Sequence, residues 1–214
     1  MKDYFFSDAK YLKLDITIPY KEMLAEAKQL RSRFIEHRGG DSTGWHSLTL
    51  HGLGEDKTDS WQAYGFATSI EASNHMHWTP AADLAPITKN FLLNDFPCNK
   101  YGRVRFMLLE AGGKINLHSD SRAKMLENTN IVLNNPAECV WRWGDGSPDL
   151  YMEDGIAYAM NISYFHELEN NSNEDRYHMI IARHDSTDEW KSLIDTAALR
   201  NGVTGQYISI NELP

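Results

Sequence analysis

The chain has 214 residues, of which 42% are hydrophobic and six are Trp, enough for one domain with a sizeable core. Its net charge of −9, with no long basic run, excludes non-specific nucleic-acid binding, which needs clustered Lys and Arg. The charged start MKDYFFSDAKYLKLD does not read as a signal peptide, and no stretch reaches transmembrane length. Cys98 and Cys139 make no disulfide framework, so a reducing, cytoplasmic setting without a membrane or nucleic-acid partner is expected.

Leu12, Leu14, Ile16 and Ile18 alternate with polar neighbours and predict a short strand closed by Pro19. Tyr20 to Arg38 predicts a helix, with Met23, Leu24, Ala27, Leu30, Phe34 and Ile35 at helical spacing and Gly39-Gly40 as the stop. Trp45 to His51 alternates as a strand does, and aromatic Trp61 to Phe66 predicts another, both read as ordinary sheet packing rather than as a substrate wall. His75 and His77 form a His-x-His pair, but the flanks EASN and WTP read as a loop and suggest no third ligand. Asp83 to Asn94 predicts a second helix, capped by Asp83, with Pro86 in its first turn and Leu84, Ile87, Phe91 and Leu92 buried.

From Arg103 onward the pattern is strand after strand. Val104, Phe106 and Leu108 alternate with Arg103, Arg105, Met107 and Leu109; Gly112-Gly113 then predicts a reversal, and Ile115 and Leu117 lead to His118. Arg105 is a candidate for holding a carboxylate of substrate or co-substrate, whereas Arg103 reads as a solvated residue. Further strands are expected at Asn128 to Leu133, Cys139 to Trp143, Leu150 to Met152, Ile156 to Met160, Ile162 to Leu168 and Tyr177 to Arg183, separated by Gly, Pro and Asn turns such as GDGSP. Such a meander argues for an antiparallel barrel or jelly roll with flanking helices. Thr187 to Arg200 predicts a closing helix on Trp190, Leu193, Ile194 and Ala197, and Tyr207, Ile208 and Ile210 an edge strand.

Three groups in this C-terminal half carry chemistry: His118 and Asp120 in KINLHSDS, His166 in SYFHELEN, and Arg176 in EDRYHMIIAR. Two imidazoles and one carboxylate on one face of a metal leave positions open on the other, the ligand set of non-haem Fe(II) oxygenases. The open positions suit a 2-oxo acid and then O2. A guanidinium fork such as that of Arg176 suits the far carboxylate of that co-substrate. The loop ENNSNED is expected to join two antiparallel strands and so bring His166 and Arg176 together. His178 shares the strand face of Arg176 and is a candidate contact to co-substrate or substrate.

The run EDGIAYAMNISYFHELENNSNEDRYHMII, with Gly155 opening a strand, then His166, Glu169-Asn170 and Arg176, resembles the aspartyl/asparaginyl β-hydroxylase-like family of Fe(II)/2-oxoglutarate-dependent oxygenases, which includes free-amino-acid hydroxylases of the proline cis-4-hydroxylase kind. EAGGKINLHSD resembles the family's upstream metal-binding segment, and the likeness spans Arg103 to His184. It implies a double-stranded β-helix of the jelly-roll or cupin kind, with Fe(II) held by His118, Asp120 and His166, and 2-oxoglutarate and O2 as co-substrates. Arg176 would then grip the 5-carboxylate. A second polar contact is expected from the strand that here carries Asn128 and Asn130, where basic residues common in relatives are missing. Related halogenases lack the carboxylate so that chloride can bind, so Asp120 argues for hydroxylation.

The expectation is one oxygenase domain: supporting strands and helices in 1–100, the jelly-roll core in 101–185, and a helix and tail in 186–214. Its substrate would be an amino acid, free or as an Asp/Asn-type residue of a peptide or protein. Two other readings stay open on the residues alone, a cupin-like metal-binding barrel without catalysis and an interaction module using an acidic, Trp-rich surface. Arg176 argues against the first, since a structural metal needs no oxo-acid clamp.

Overall fold

A computed structural model of the chain describes residues 3–38, 42–121 and 123–209, with Glu127 described by its backbone alone. The expected Gly39-Gly40 stop and Ile210 lie outside the described residues, as does Arg122. In chain order the strands are β1 (Asp3–Phe6), β2 (Tyr11–Leu14), β3 (Ile35–Glu36), β4 (Thr43–Gly52), β5 (His77–Trp78), β6 (Tyr101–His118), β7 (Leu126–Asn134), β8 (Cys139–Trp143), β9 (Ala157–Asn161), β10 (His166–Asn170), β11 (Arg176–Arg183) and β12 (Gln206–Ser209). The helices are α1 (Tyr20–Gln29), α2 (Ser69–Ser73), α3 (Pro80–Asp83), α4 (Pro86–Asn94) and α5 (Asp188–Arg200).

One long strand organises the rest. The first half of β6 pairs antiparallel with β4 on one side and β11 on the other, and beyond β11 the order runs to β7, β9 and β2. Its second half pairs with β10, and β10 with β8. β6 therefore crosses from one sheet into the other, and the two sheets face each other as a double-stranded β-helix. The crossing lies at Gly112-Gly113. Gly112 has φ +73, and a Cβ on Gly113 would stand 2.8 Å from Leu109 Cδ1 and 2.9 Å from the Glu110 carbonyl. The pair does not reverse the chain, as the sequence had suggested. It bends a continuous strand where no side chain fits.

Period-two alternation sorts the side chains. Val104, Phe106, Leu108, Tyr177, Met179 and Ile181 face the helices and join Met23, Phe91 and Trp190 in one core cluster. Leu109, Ile115, Val132, Trp141, Met152, Tyr158 and Leu168 form a second cluster between the sheets. α5 follows its expected pattern: Thr187 caps it by accepting from the Trp190 amide at 3.0 Å, and Trp190, Ile194 and Ala197 are buried. The tail strand β12 pairs with β1.

Several elements differ from expectation for local reasons. The first helix stops at Gln29, and Arg31–Arg33 form a 3-10 turn before β3. Trp61–Tyr64 form another 3-10 turn instead of a strand, closed by Gly65 in the left-handed region at φ +86. The predicted second helix divides into α3 and α4, because Pro86 disfavours helical geometry at Ala85. Leu84 and Ile87 are exposed there, and Asp83 pairs with Lys89 instead of capping. The first turn of α4 is capped from across the fold: the buried Glu26 of α1 accepts from the Ile87 amide at 2.7 Å, the Thr88 amide at 2.9 Å and the Thr88 hydroxyl at 2.6 Å. Leu150 makes an isolated bridge to Trp141 in place of a full strand, and the strand bearing His166 begins at His166, after a turn. β10 and β11 are not paired with each other; their loop crosses between the sheets, tied down by Asn170, which donates to Glu110 and Glu174 carbonyls.

Candidate metal centre and its cavity

The end of β6 and the start of β10 meet with His118 directly opposite His166. Their rings lie 4.4 Å apart, and His166 stacks on Trp141 at 4.6 Å and 12°. Each imidazole is fixed by the backbone carbonyl two residues earlier. His118 Nδ1 donates to Asn116 O at 2.7 Å and His166 Nδ1 to Tyr164 O at 2.8 Å. Both rings are thereby held in the tautomer that leaves Nε2 as the lone-pair donor, as metal-ligating histidines require.

Asp120 enters from the loop after β6, anchored by its amide to Ile162 O at 3.0 Å. Its Oδ2 lies 3.7 Å from His118 Nε2 and 3.9 Å from His166 Nε2, and the three ligand atoms all fall within 4.8 Å of one another. Arg38, the one described non-glycine residue with positive φ, reaches the other oxygen, Oδ1, at 3.4 Å. Burial alone would raise the Asp120 pKa, but the neighbouring His118, with Arg38 and His166, holds it at about 2. The Asp120 carboxylate beside His118 raises the imidazole pKa against the effect of burial. His166 is lowered by burial, partly offset by the Tyr164 carbonyl. Two neutral-capable imidazoles and a firmly ionised carboxylate, all aimed at one point, fit a divalent cation, and ferrous iron by donor type.

A cavity of about 670 Å³ opens beside this trio. Asn128 and Asn130 of β7, His178 of β11 and Arg105 of β6 all line it. Arg103 lines it too, correcting its reading as a solvated residue. Arg176 sits deeper, wholly buried behind His178. Its Nε donates to Asn135 Oδ1 at 2.7 Å, Nη1 to His178 Nδ1 at 2.7 Å and Nη2 to Met152 Sδ at 3.3 Å. Because a guanidinium only donates, His178 Nδ1 accepts, so the ring is neutral with its proton on Nε2. Burial, then the charge of Arg176, push the His178 pKa well down, which agrees with that tautomer. His75 and His77 are exposed, and no third ligand joins them among the described residues.

Residues 15–184 match the family described as Aspartyl/Asparaginyl beta-hydroxylase. The chain belongs to this family. It is accordingly a member of the Fe(II)/2-oxoglutarate-dependent oxygenases, with His118, Asp120 and His166 as the candidate iron site. Solved structures similar to this hydroxylase-family chain include a Pseudomonas putida prolyl-4-hydroxylase, at 14% identity over 83% of this chain and 94% of that one, with a TM-score of 0.45. Also similar is a Trichoplax adhaerens prolyl hydroxylase in complex with a hypoxia inducible factor peptide fragment, at 10% identity over 87% of each chain, with a TM-score of 0.49. A third is AviO1 from Streptomyces viridochromogenes, at 14% identity over 82% of this chain and 90% of that one, with a TM-score of 0.49. No curated protein matches the sequence. No helix among the described residues is long and apolar enough to cross a membrane.

Sequence reasoning passed over Arg38, Trp141, Asn135 and His37. Trp141 sits on the same face of β8 as Cys139 and Trp143, a signal that its ring points inward. His37 is buried, bonds Ser47 Oγ at 2.9 Å through Nδ1 and packs on Trp45. Burial, helped by the charges of Arg105 and Arg38, lowers its pKa to about 2, so it stays neutral. Nothing in the sequence around Arg38 marks it as a neighbour of Asp120.

Proposed function

We propose that the chain is an Fe(II)- and 2-oxoglutarate-dependent dioxygenase that hydroxylates an amino acid, free or as an Asp/Asn-type residue. The observation that carries this reading is the convergence of His118 Nε2, His166 Nε2 and Asp120 Oδ2 at the edge of a deep cavity. Iron with 2-oxoglutarate and O2 would supply the oxidation there, hydroxylating a C–H bond while the oxo acid becomes succinate and CO2.

The protein's part is binding and placement. His118, His166 and Asp120 would hold the metal from one side, and the carbonyls of Asn116 and Tyr164 keep both rings in the ligating tautomer. Arg38 engages Asp120 Oδ1 and thereby directs Oδ2 at the imidazoles. Arg176 and His178 form the positive end of the barrel interior, suited to the far carboxylate of the oxo acid. Arg176 brings the charge and His178 an Nε2–H donor. Asn128 and Asn130 supply the second polar contact, and the apolar walls of Ile115, Leu168 and Ile180 exclude water from it.

The test is O2-dependent formation of succinate from 2-oxoglutarate with added Fe(II). Wild type is expected to turn over slowly without substrate, and faster with the right amino acid. His166→Ala and Asp120→Ala are expected to lose at least about 100-fold of that activity and most of the bound iron. Equal iron content in wild type and both variants would overturn the reading.

A further inference from the structure

We infer that the substrate is a small free acid whose carboxylate is seated on Arg103 and Arg105. The word substrate rests on the preceding reading; the anion seat does not. Strand alternation places both arginines on the inner face of β6, opposite the apolar row Val104, Phe106 and Leu108. Arg105 is only 6% exposed, yet its Nε has no hydrogen-bond partner, and its Nη2 reaches only the Thr58 carbonyl at 3.3 Å. Arg103 likewise has Nε and Nη2 buried without partners. Buried guanidinium N–H groups normally find acceptors, so these three aim at an acceptor that the chain itself does not supply.

The charges point the same way. Among the described residues, no carboxylate lies within ion-pair distance of either arginine. Asp59, at the cavity rim, is exposed and only tempers Arg103, and Asp120 is already engaged with Arg38 and the two imidazoles. Burial and then the positive charges of Arg103 and Arg38 depress the Arg105 pKa, against smaller opposing effects of Tyr64 and Asp120. A carboxylate is the planar two-oxygen acceptor that such forks match. Ile180 pairs in register with Arg105, and with Ile115 it lines the same cavity, so the body behind the carboxylate is short and partly aliphatic. The seat lies on the cavity wall, and a cavity of about 670 Å³ shared with an oxo acid has room for a molecule of amino-acid size. An Asp side chain within a polypeptide carries the same carboxylate but brings chain on both sides of it, so a capped Asp peptide is the competing occupant in the test.

The probe set is the common L-amino acids as free acids, the same compounds as α-amides, and a capped Asp tripeptide. Each is titrated into metal-free wild type, Arg103→Gln, Arg105→Gln and Arg105→Lys, by calorimetry and by the fluorescence of Trp45, Trp61 and Trp141, which line the cavity. At least one free acid is expected to bind, with its amide about tenfold weaker or more, and with each Gln variant about tenfold weaker again and Arg105→Lys between. The 2-oxoglutarate affinity of Fe(II)-loaded Arg105→Gln is expected to stay within about twofold of wild type. Equal binding of acids and amides, or no binding of any acid, would overturn the inference. So would a capped peptide that outbinds every free acid through the same arginines. An Arg105→Gln variant that loses 2-oxoglutarate would assign the seat to the co-substrate and overturn it too. Binding of the acid in a protein that takes up no iron would sink the oxygenase reading and leave the seat standing.

Discussion

Arg176 and Arg105 are both more than nine-tenths buried, and both belong to the inner faces of the β-helix, yet they are solved differently. Arg176 is anchored: Asn135, His178 and Met152 receive three of its five N–H donors, and it stands behind His178. Arg105 is incomplete, with a buried Nε that has no acceptor and a neighbour, Arg103, that repels it. A buried charge held by acceptors of its own is fixed in place before any ligand arrives, whereas one without them is left open to an incoming acceptor. The contrast separates the two ends of the cavity. On the proposed function, one end would hold the oxo acid and the other would seat the carboxylate of the substrate.

Substitution of each arginine by Met sharpens this contrast. Arg176→Met strips acceptors Asn135 and His178 of a charged donor and is expected to lower unfolding free energy by about 2–3 kcal/mol in urea melts. A loss below ~0.5 kcal/mol would contradict its framing role. Glu26 is a buried charge completed in the same way, and Glu26→Ala leaves the Ile87 and Thr88 amides without their acceptor. The expected cost is about 2 kcal/mol, read by the same melts.

Next in size is a pH effect. His37 and His178 are buried neutral, with pKa values lowered below the ordinary imidazole range, His37 to about 2. Below pH 6.5 the unfolded chain takes up protons at both that the folded chain refuses, so stability falls as pH falls through that window. The slope approaches about 1.4 kcal/mol per pH unit for each ring. A His37→Gln variant is expected to show a shallower decline between pH 6.5 and 5, and an unchanged slope would contradict the assignment. The smallest effect has the opposite sign. Arg105→Met removes an unpartnered buried charge and is expected to raise stability by about 1 kcal/mol while abolishing the anion seat.

The sequence made the barrel legible because its signals are local: alternation along Arg103 to Leu109 and Tyr177 to Arg183, turn residues between strands, and a His-x-Asp at a strand end. The fold then brings His118, Asp120 and His166 within 4.8 Å of one another, the convergence their motifs suggested. What stayed hidden depended on tertiary context. Gly112-Gly113 signals a reversal as readily as a bend, and only the pairing of β6 with both β11 and β10 decides between them. The loop from Glu169 to Asp175 reads as a hairpin, yet its strands lie in opposite sheets. Arg38 meets Asp120 across a long separation in sequence, and the cavity that Arg103 lines is completed by distant residues such as Asp59, Trp61 and Met76. No periodicity encodes either.

The most direct test of the central claim is anaerobic titration of the protein with Fe(II) and then 2-oxoglutarate, following the weak visible charge-transfer band of the chelated metal in wild type and Arg176→Ala. The account predicts a band in wild type that needs both additions and weakens by at least about tenfold in 2-oxoglutarate affinity in the variant. Bound iron with no band in wild type would contradict it, and would leave a metal-binding barrel without oxygenase chemistry.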